Sequence, residues 1–424
     1  MNSNFKRYII FWLSQALSQL GSSMTTFALI LWTYTQKGTA MTVSLMTFFN
    51  YLPYIILSLF VGTFVDNHSK KKIMLVSDSI AAICSLAIFC LNSGNALQIW
   101  HIYLVNMIIG FMGAFQDPAS DVALGKVVPK EKLEQISGMN SFSDNLVAVL
   151  SPVFAAFLFA FGGLKLILII DLSSFLFAFL ILLFVLRIPD DIPQKAEKKS
   201  VFIGCKEGLQ YLKQHNGIFL VIITMAVLNF FSRLTYENIL SPMILSRSAN
   251  DSVTLGIVNA VMGIGGIIGG IIVSSGKIKA NSAKMIYLSA MLPFLLGDIM
   301  MGLGRNGIVW SLAGLAASLP IPFINAGQMV ILYRNVPEDM KGRIFAVRNA
   351  VQFSSIPLGI LLGGLLADYV FEPFMLTQNP ITQVLHKLVG EGAGSGMAVM
   401  FLCTGILGSL FSFAFYQRKD IRNL

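Results

Sequence analysis

The segment "GTFVDNHSKKK", residues 62–72, sits between two long apolar runs and places an acid, a histidine and three consecutive lysines in one short gap. Stretches of about 20 apolar residues recur on both sides of it along the whole chain, each long enough to cross a hydrocarbon core of about 30 Å as a helix. The chain of 424 residues is 55% hydrophobic and only 12% charged, against about 25% charged for an ordinary soluble protein. A soluble domain of this length has nowhere to hide so much apolar surface. The composition predicts an all-α polytopic membrane protein. A β-barrel is excluded because the runs are continuous rather than alternating.

Twelve spans are expected, at 8–34, 41–65, 73–92, 98–124, 136–161, 164–187, 217–246, 252–275, 284–303, 306–333, 343–368 and 396–416. Lys6 and Arg7 precede the first apolar run, which continues to about Tyr34 and so outlasts the apolar core of a secretory signal. It is read as a retained first span. "RIPDDIPQKAEKKS", residues 187–200, is polar and proline-punctuated, as a linker would be. "GCKEGLQYLKQHNG" after it predicts a short amphipathic helix on the membrane surface. The expected organisation is an N-terminal six-helix half (1–187), a cytoplasmic linker with that helix (188–216) and a C-terminal six-helix half (217–424).

Charge sets the orientation. Of 30 Lys and Arg residues, 24 fall on the side that holds both termini; the opposite loops hold Lys37, Lys165, Arg247, Arg305 and Lys387. The positive-inside rule makes both termini cytoplasmic. The net charge of +9 then reflects topology and contact with anionic lipid, not nucleic-acid binding. Four cysteines, Cys84, Cys90, Cys205 and Cys403, show no metal-type spacing and read as apolar filler.

A shift of 208 residues partly matches the chain to itself: "VPKEKLEQISGMNSFSDN" from Val128 falls on "VPEDMKGRIFAVRNAVQF" from Val336. The same shift places Gly62 on Gly270, Lys71 on Lys279 and Ser44 on Ser252. Two similar halves joined by a cytoplasmic linker form a parallel repeat, an architecture that builds transport sites where rocking halves meet.

With these features the chain resembles the major facilitator superfamily. Its loop between helices 2 and 3 usually reads Gly-x-x-x-Asp-Arg/Lys-x-Gly-Arg/Lys-Arg/Lys; Gly62, Asp66, Lys70 and Lys71 match, while Asn67 and Ser69 depart from it. "VLNF", "MKGRIFAVRNA" and "LADYVFEPFM" look like the macrolide-efflux type of drug:proton antiporter. The resemblance implies a conformational switch. Gly62 lets helix 2 approach another helix closely, and Asp66 is expected to face the positive N-terminal end of helix 11 or to pair with Arg343 or Arg348. Lys70 and Lys71 serve topology too. Glycine pairs on helix 8 (Gly265, Gly266, Gly269, Gly270) and helix 11 (Gly359, Gly363) are expected to give tight, slidable packing. The antiporter motif of helix 5 is reduced to Ser151-Pro152 with Ala155 and Ala156.

Ionisable groups inside a membrane are site candidates by default. Arg233 and Glu237, four residues apart, can pair on one helical face, which Asn229 and Tyr236 extend. Glu237, Asp144, Asp298 and Asp171 are the candidate proton-coupling acids, burial favouring their neutral forms; for Asp171 and Asp78 the resemblance implies a structural role near helix ends. Gln15, Ser18, Gln19, Ser22 and Thr26 fall in one sector of the first helix. Either they line a cavity for an amphiphilic substrate or they bond between helices. Asn50 is a further cavity candidate.

The expected function is proton-coupled export of an amphiphilic small molecule through the cytoplasmic membrane of a bacterium, by a monomer with no cofactor beyond the proton gradient. Export of an endogenous metabolite, siderophore or lipid, and nutrient uptake, stay open, as does a ligand-binding receptor. No GxxxxGK[ST] sequence is present to hydrolyse ATP, and no HExxH or GxSxG to support an intramembrane enzyme.

Overall fold

The computed structural model describes residues 3–66, 68–127, 133–185, 201–275 and 281–422, and among these all regular structure is helical. The first five helices are α1 (Ser3–Lys37), α2 (Ala40–Asp66), α3 (Lys70–Ser93), α4 (Ile99–Val127) and α5 (Leu133–Phe184). Next come α6 (Val201–Gln214), α7 (Asn216–Thr235), α8 (Leu240–Arg247), α9 (Ser252–Ser274) and α10 (Ser282–Leu292). A π-helical segment, Pro293–Asp298, leads into α11 (Ile299–Leu303), followed by α12 (Gly307–Ser318), α13 (Ile321–Asn335) and α14 (Glu338–Leu366). A second π segment, Ala367–Phe371, precedes α15 (Glu372–Met375), α16 (Pro380–Val389), α17 (Ser395–Tyr416) and α18 (Lys419–Arg422).

Ten segments among the described residues are long and apolar enough to cross a membrane. One of them, Phe142–Phe184, has 43 residues. At about 1.5 Å per residue that is roughly twice a bilayer core. It holds two crossings, because α5 breaks at Gly163, whose φ of 59° is left-handed and favours glycine. The apolarity of α1 is diluted by its polar stripe. With α1 and the break in α5 counted, twelve crossings result. The apolar side chains that point outward, such as Phe161 (75% exposed) and Ile308 (74%), are what a lipid-facing surface requires.

The chain divides into two compact units, residues 1–37 with 45–197 and residues 38–44 with 198–424. The start of α2 therefore lies with the second unit, whereas the sequence places it in the first half. In the first unit α1 packs along α5, and α3 lies against α4 and α5. Its core includes Phe11, Val61, Val65, Met74 and Leu182. In the second, α14 packs on α7, α12 on α9 and α10 on α13 and α17, around a core that includes Val221, Met225, Tyr287 and Ile331.

Several expectations are corrected. α6 does not simply lie on a membrane surface. Its Leu212 is fully buried among Ile218, Ile222, Leu332, Val336 and Val347, and Tyr211 donates to the Asn335 carbonyl (3.2 Å). The spans 217–246, 284–303 and 306–333 are not single regular helices, being divided at 236–239, at the first π segment and at Leu319–Pro320. The glycines do their packing inside the second unit: Gly265 and Gly269 receive Ser318 and Leu319, and Gly359 and Gly363 receive α7. Gly266 and Gly270 meet nothing within 4 Å.

Among the described glycines the least room is at Gly110, where an added Cβ would overlap the backbone carbonyl of Asn50. Backbone cannot rotate away as a side chain can, so Gly110→Ala forces α2 and α4 apart. The expected loss is at the upper end of the 1–3 kcal/mol typical of overpacking, about 3 kcal/mol. Thermal unfolding in detergent should show a clear drop for Gly110→Ala and none for Gly266→Ala.

Candidate functional site

Most hydroxyls in these helices bond back to their own helix. Thr26 donates to the Ser22 carbonyl, Ser79 to Leu75 and Ser173 to Ile169. Three depart from this habit and converge on one carboxylate. Ser22 donates to Oδ1 of Asp171, and Thr25 and Ser85 donate to Oδ2, each at 3.0 Å. The acid is buried in the second segment of α5, not near a helix end, and it draws α1, α3 and α5 together. Gly21 makes this possible, since a Cβ there would stand 2.5 Å from Ser174 Oγ and 3.1 Å from the Asp171 Cα. Thr25 and Ser85 were not legible as site residues: a helix sequence does not say which hydroxyls leave their own backbone.

The rest of the α1 stripe looks outward. Gln19, Ser22 and Thr26 are exposed and Gln15 is half-buried, its Nε2 without a hydrogen-bond partner. Gln19 Nε2 donates to Oδ1 of Asp144 (3.0 Å). Asp144 is exposed, which corrects the expectation of a buried acid. Asn50 belongs to packing: its Nδ2 donates to the Asn106 carbonyl (3.4 Å) and its own carbonyl faces Gly110.

In the second unit the polar residues gather where α7 ends and α8 begins. Arg233 and Glu237 form an ion pair, their side chains 26% and 32% exposed. Asn229, two turns earlier than Glu237, is half-buried. Tyr236 opens the interruption, its ring edge-on to Phe401 at 5.3 Å. Asn238 is buried and ties it down, donating to the Ile360 carbonyl (2.6 Å) and to Ser44 Oγ (3.0 Å). α14 closes over this region because Gly359 would place a Cβ only 2.8 Å from that of Arg233. Asp298, at the end of the first π segment, is fully buried and accepts from Thr404 Oγ1 (2.7 Å).

The expected switch residues are only partly described. The side chains of Gly62, Asp66 and Arg343 lie outside the described residues. Lys70 and Lys71 are not loop residues: they open α3, with Lys70 buried and Lys71 Nζ donating to the Leu183 carbonyl (2.9 Å). Arg348 donates to Oδ1 of Asn349 through Nε (3.1 Å) and Nη2 (2.7 Å), and its guanidinium lies 5.0 Å from the Phe345 ring centroid. Acids do sit at helix N-termini elsewhere: Glu372 accepts from the Gly394 and Met397 N–H groups at the start of α17, Asp251 caps α9, and Asp368 serves α2. From the second π segment Asp368 accepts from the backbone N–H groups of Ala40 (3.0 Å) and Met41 (2.7 Å), at the start of α2. Among the described residues no cluster of His, Cys, Asp and Glu has the arrangement to hold a metal ion.

The sequence profile of the Major Facilitator Superfamily matches residues 11–360. Macrolide efflux protein A of Streptococcus pyogenes is 26% identical over 375 residues, covering 87% of this chain and 91% of that protein. An enterobactin exporter of Shigella boydii is 26% identical over 317 residues, 72% of each chain. Among solved structures, a bacterial homologue of the iron transporter ferroportin in an inward-facing state superposes with a TM-score of 0.72 at 15% identity, over 98% of this chain and 99% of that one.

Proposed function

Because this chain belongs to the major facilitator superfamily, we propose that it exports amphiphilic small molecules from the cytoplasm of a bacterium in exchange for protons. The observation that carries the proposal is the exposed stripe of Gln19, Ser22 and Thr26 on α1, uncharged hydrogen-bonding groups spaced along one side of a membrane-crossing helix. Such groups suit a substrate with a large apolar body and scattered hydroxyls or amides. The efflux relatives support the direction, and the macrolide efflux relative supports a macrolide-like cargo. Gln15, Gln19, Ser22 and Thr26 are assigned to substrate contact, with Asn229, Arg233 and Tyr236 as their counterparts in the second unit. Asn50 is withdrawn in favour of its packing role. Asp66 remains assigned to the switch between inward- and outward-open states.

The protein resides in the cytoplasmic membrane with both termini inside, a placement that the Lys and Arg distribution supports. It works as a monomer and draws its energy from the proton gradient alone. A second reading, siderophore export, is favoured by the enterobactin exporter relative. Expression in an efflux-deficient bacterial host separates the two. Macrolide export should raise the inhibitory concentration of macrolides several-fold, and a protonophore should abolish the rise. Unchanged macrolide susceptibility together with increased siderophore in the medium would replace the first reading with the second.

A further inference from the structure

Two interruptions of regular helix meet inside the second unit. One is the turn at 236–239 between α7 and α8, and the other is the π segment Pro293–Asp298. Such irregularities occur often at functional sites, and broken membrane helices recur at transport sites. Tyr236, the first residue of the turn, lies beside Asp298, the last of the π segment.

The carboxyl at this contact has few donors. Oδ2 of Asp298 has Thr404, but neither Oδ1 nor the Tyr236 hydroxyl completes a hydrogen bond of normal geometry, and both atoms are buried. Nor do the described elements around it supply a compensating cation. α12 carries no ionisable side chain, α17 offers only Cys403 and Tyr416, and α11 none. Lys284 and Tyr287 of α10 belong to its first two turns, Tyr287 being bonded to Thr224 (2.6 Å). On the α7 side, Arg233 is held by Glu237, and Arg247 donates to the carbonyls of Val389 and Gly302. Gly405 allows α17 to seal the carboxyl, since a Cβ there would stand 3.2 Å from that of Asp298.

An anion buried with a single donor and no cation is strongly unfavourable. One proton on the carboxyl removes the charge, and a neutral acid is far less costly to bury with Thr404 as its one bonded donor; the Tyr236 hydroxyl beside it can donate to the charged form or accept from the neutral one. The other candidate acids lack this need. Asp171 has three hydroxyl donors, Glu237 has Arg233, and Asp144 is exposed. We propose that Asp298 is held protonated in this conformation and that the proton on its carboxyl, buried beside the Tyr236 hydroxyl, is the one exchanged for substrate. The exchange half of the proposal rests on the proton-driven reading above. When the site opens to water, the carboxyl gives its proton to a water molecule and the carboxylate remains. That charge cannot be reburied in the present packing, so the site closes again only after a proton has rebound. Proton occupancy and conformation are thereby linked.

Infrared difference spectroscopy of the reconstituted protein tests the protonation without knowledge of the cargo. Wild type minus Asp298→Asn should contain the carbonyl stretch of a neutral carboxyl, shifted in D2O. Glu237→Gln should leave that band in place, and Thr404→Val, which removes the donor to Oδ2, should move it upward. Loss of carboxylate bands instead, in Asp298→Asn, overturns the assignment. The companion measurement is uptake of a radiolabelled macrolide into inverted vesicles under an imposed pH gradient. Asp298→Asn should lower gradient-driven uptake at least tenfold at matched expression. Undiminished uptake overturns the exchange role. Wild-type uptake that ignores the gradient refutes the proton-driven reading itself, while the infrared band still reports on Asp298.

Discussion

Arg233→Gln alone should damage this protein more than the double change Arg233→Gln with Glu237→Gln. Arg233 in the last turn of α7 and Glu237 in the interruption after it form an ion pair, and α14 packs against the Arg233 backbone and Cβ through Gly359. Removing one partner strands the other charge in a segment built to cross lipid. For a fully buried pair that costs about 3–5 kcal/mol. With a quarter to a third of each side chain exposed, solvent screens part of it, and about 2–3 kcal/mol is expected for each single change. The double variant leaves two neutral amides of similar shape, which can bond to each other, and should recover most of the loss. The measurement is a double-mutant cycle on thermal unfolding in detergent, with drug export in cells as the second readout. If Asp298 carries the proton, the export that the double variant retains should still respond to the pH gradient, whatever the loss of the Arg233 substrate contact costs in affinity. Equal loss of gradient-driven export in Glu237→Gln and in the double variant would return the coupling role to Glu237.

The spans were legible because lipid imposes a length and a polarity on every crossing, and no packing context is needed to read either. The break in α5 was legible for a similar reason: "FGG" at 161–163 supplies the residue that a left-handed turn favours. The interruption of α7 was not. "LTYENIL", residues 234–240, contains neither glycine nor proline, and the turn is held from outside by Asn238 on the α14 backbone and on Ser44. The π segment had a cue in Pro293, but proline alone predicts a kink rather than a widened turn. α16 carries its own start signal, Asn379 and Thr382 in a reciprocal capping box, which a search for apolar spans passes over.

The candidate site divides along the same line. Which residues are polar within an apolar helix is visible in the sequence. Which of them bond to each other is decided by helix neighbours. Gln19, Ser22 and Thr26 were found because a stripe is a periodicity. Thr25, Ser85 and Thr404 were missed because their service to Asp171 and Asp298 lies across helices. Sequence distinguishes Glu237 by its Arg233 neighbour and Asp171 by the resemblance, but it does not show the donors that give each of the four acids a different environment. Helix-terminal electrostatics were anticipated in kind but not in place: described carboxylates sit at the starts of α2 (Asp368), α17 (Glu372) and α9 (Asp251).

Asp171 and Asp298 should respond oppositely to the same substitution. Asparagine has the shape of a protonated aspartic acid and carries no charge. At Asp298, where the neutral acid is proposed, Asn preserves an acceptor for Thr404 and offers an N–H to Tyr236, so stability should change little. At Asp171 three hydroxyls donate to the carboxylate from two other helices. Hydrogen bonds to a charged acceptor contribute about 1.5–3 kcal/mol each, against about 0.5–1.5 for neutral ones. Turning three of the first kind into the second should cost on the order of 3 kcal/mol, reduced by the relief of no longer burying an anion. Asp171→Leu goes further, because it leaves Ser22, Thr25 and Ser85 with no shared acceptor. Each hydroxyl can then turn back to its own helix, as that of Thr26 already does, which bends the helix slightly and recovers part of the loss. The expected order of melting temperature is wild type and Asp298→Asn together, then Asp171→Asn, then Asp171→Leu lowest. An Asp171→Asn protein that melts with wild type would mean that this acid, too, is carried neutral. The three hydroxyls would then be sharing a proton with it rather than stabilising an anion.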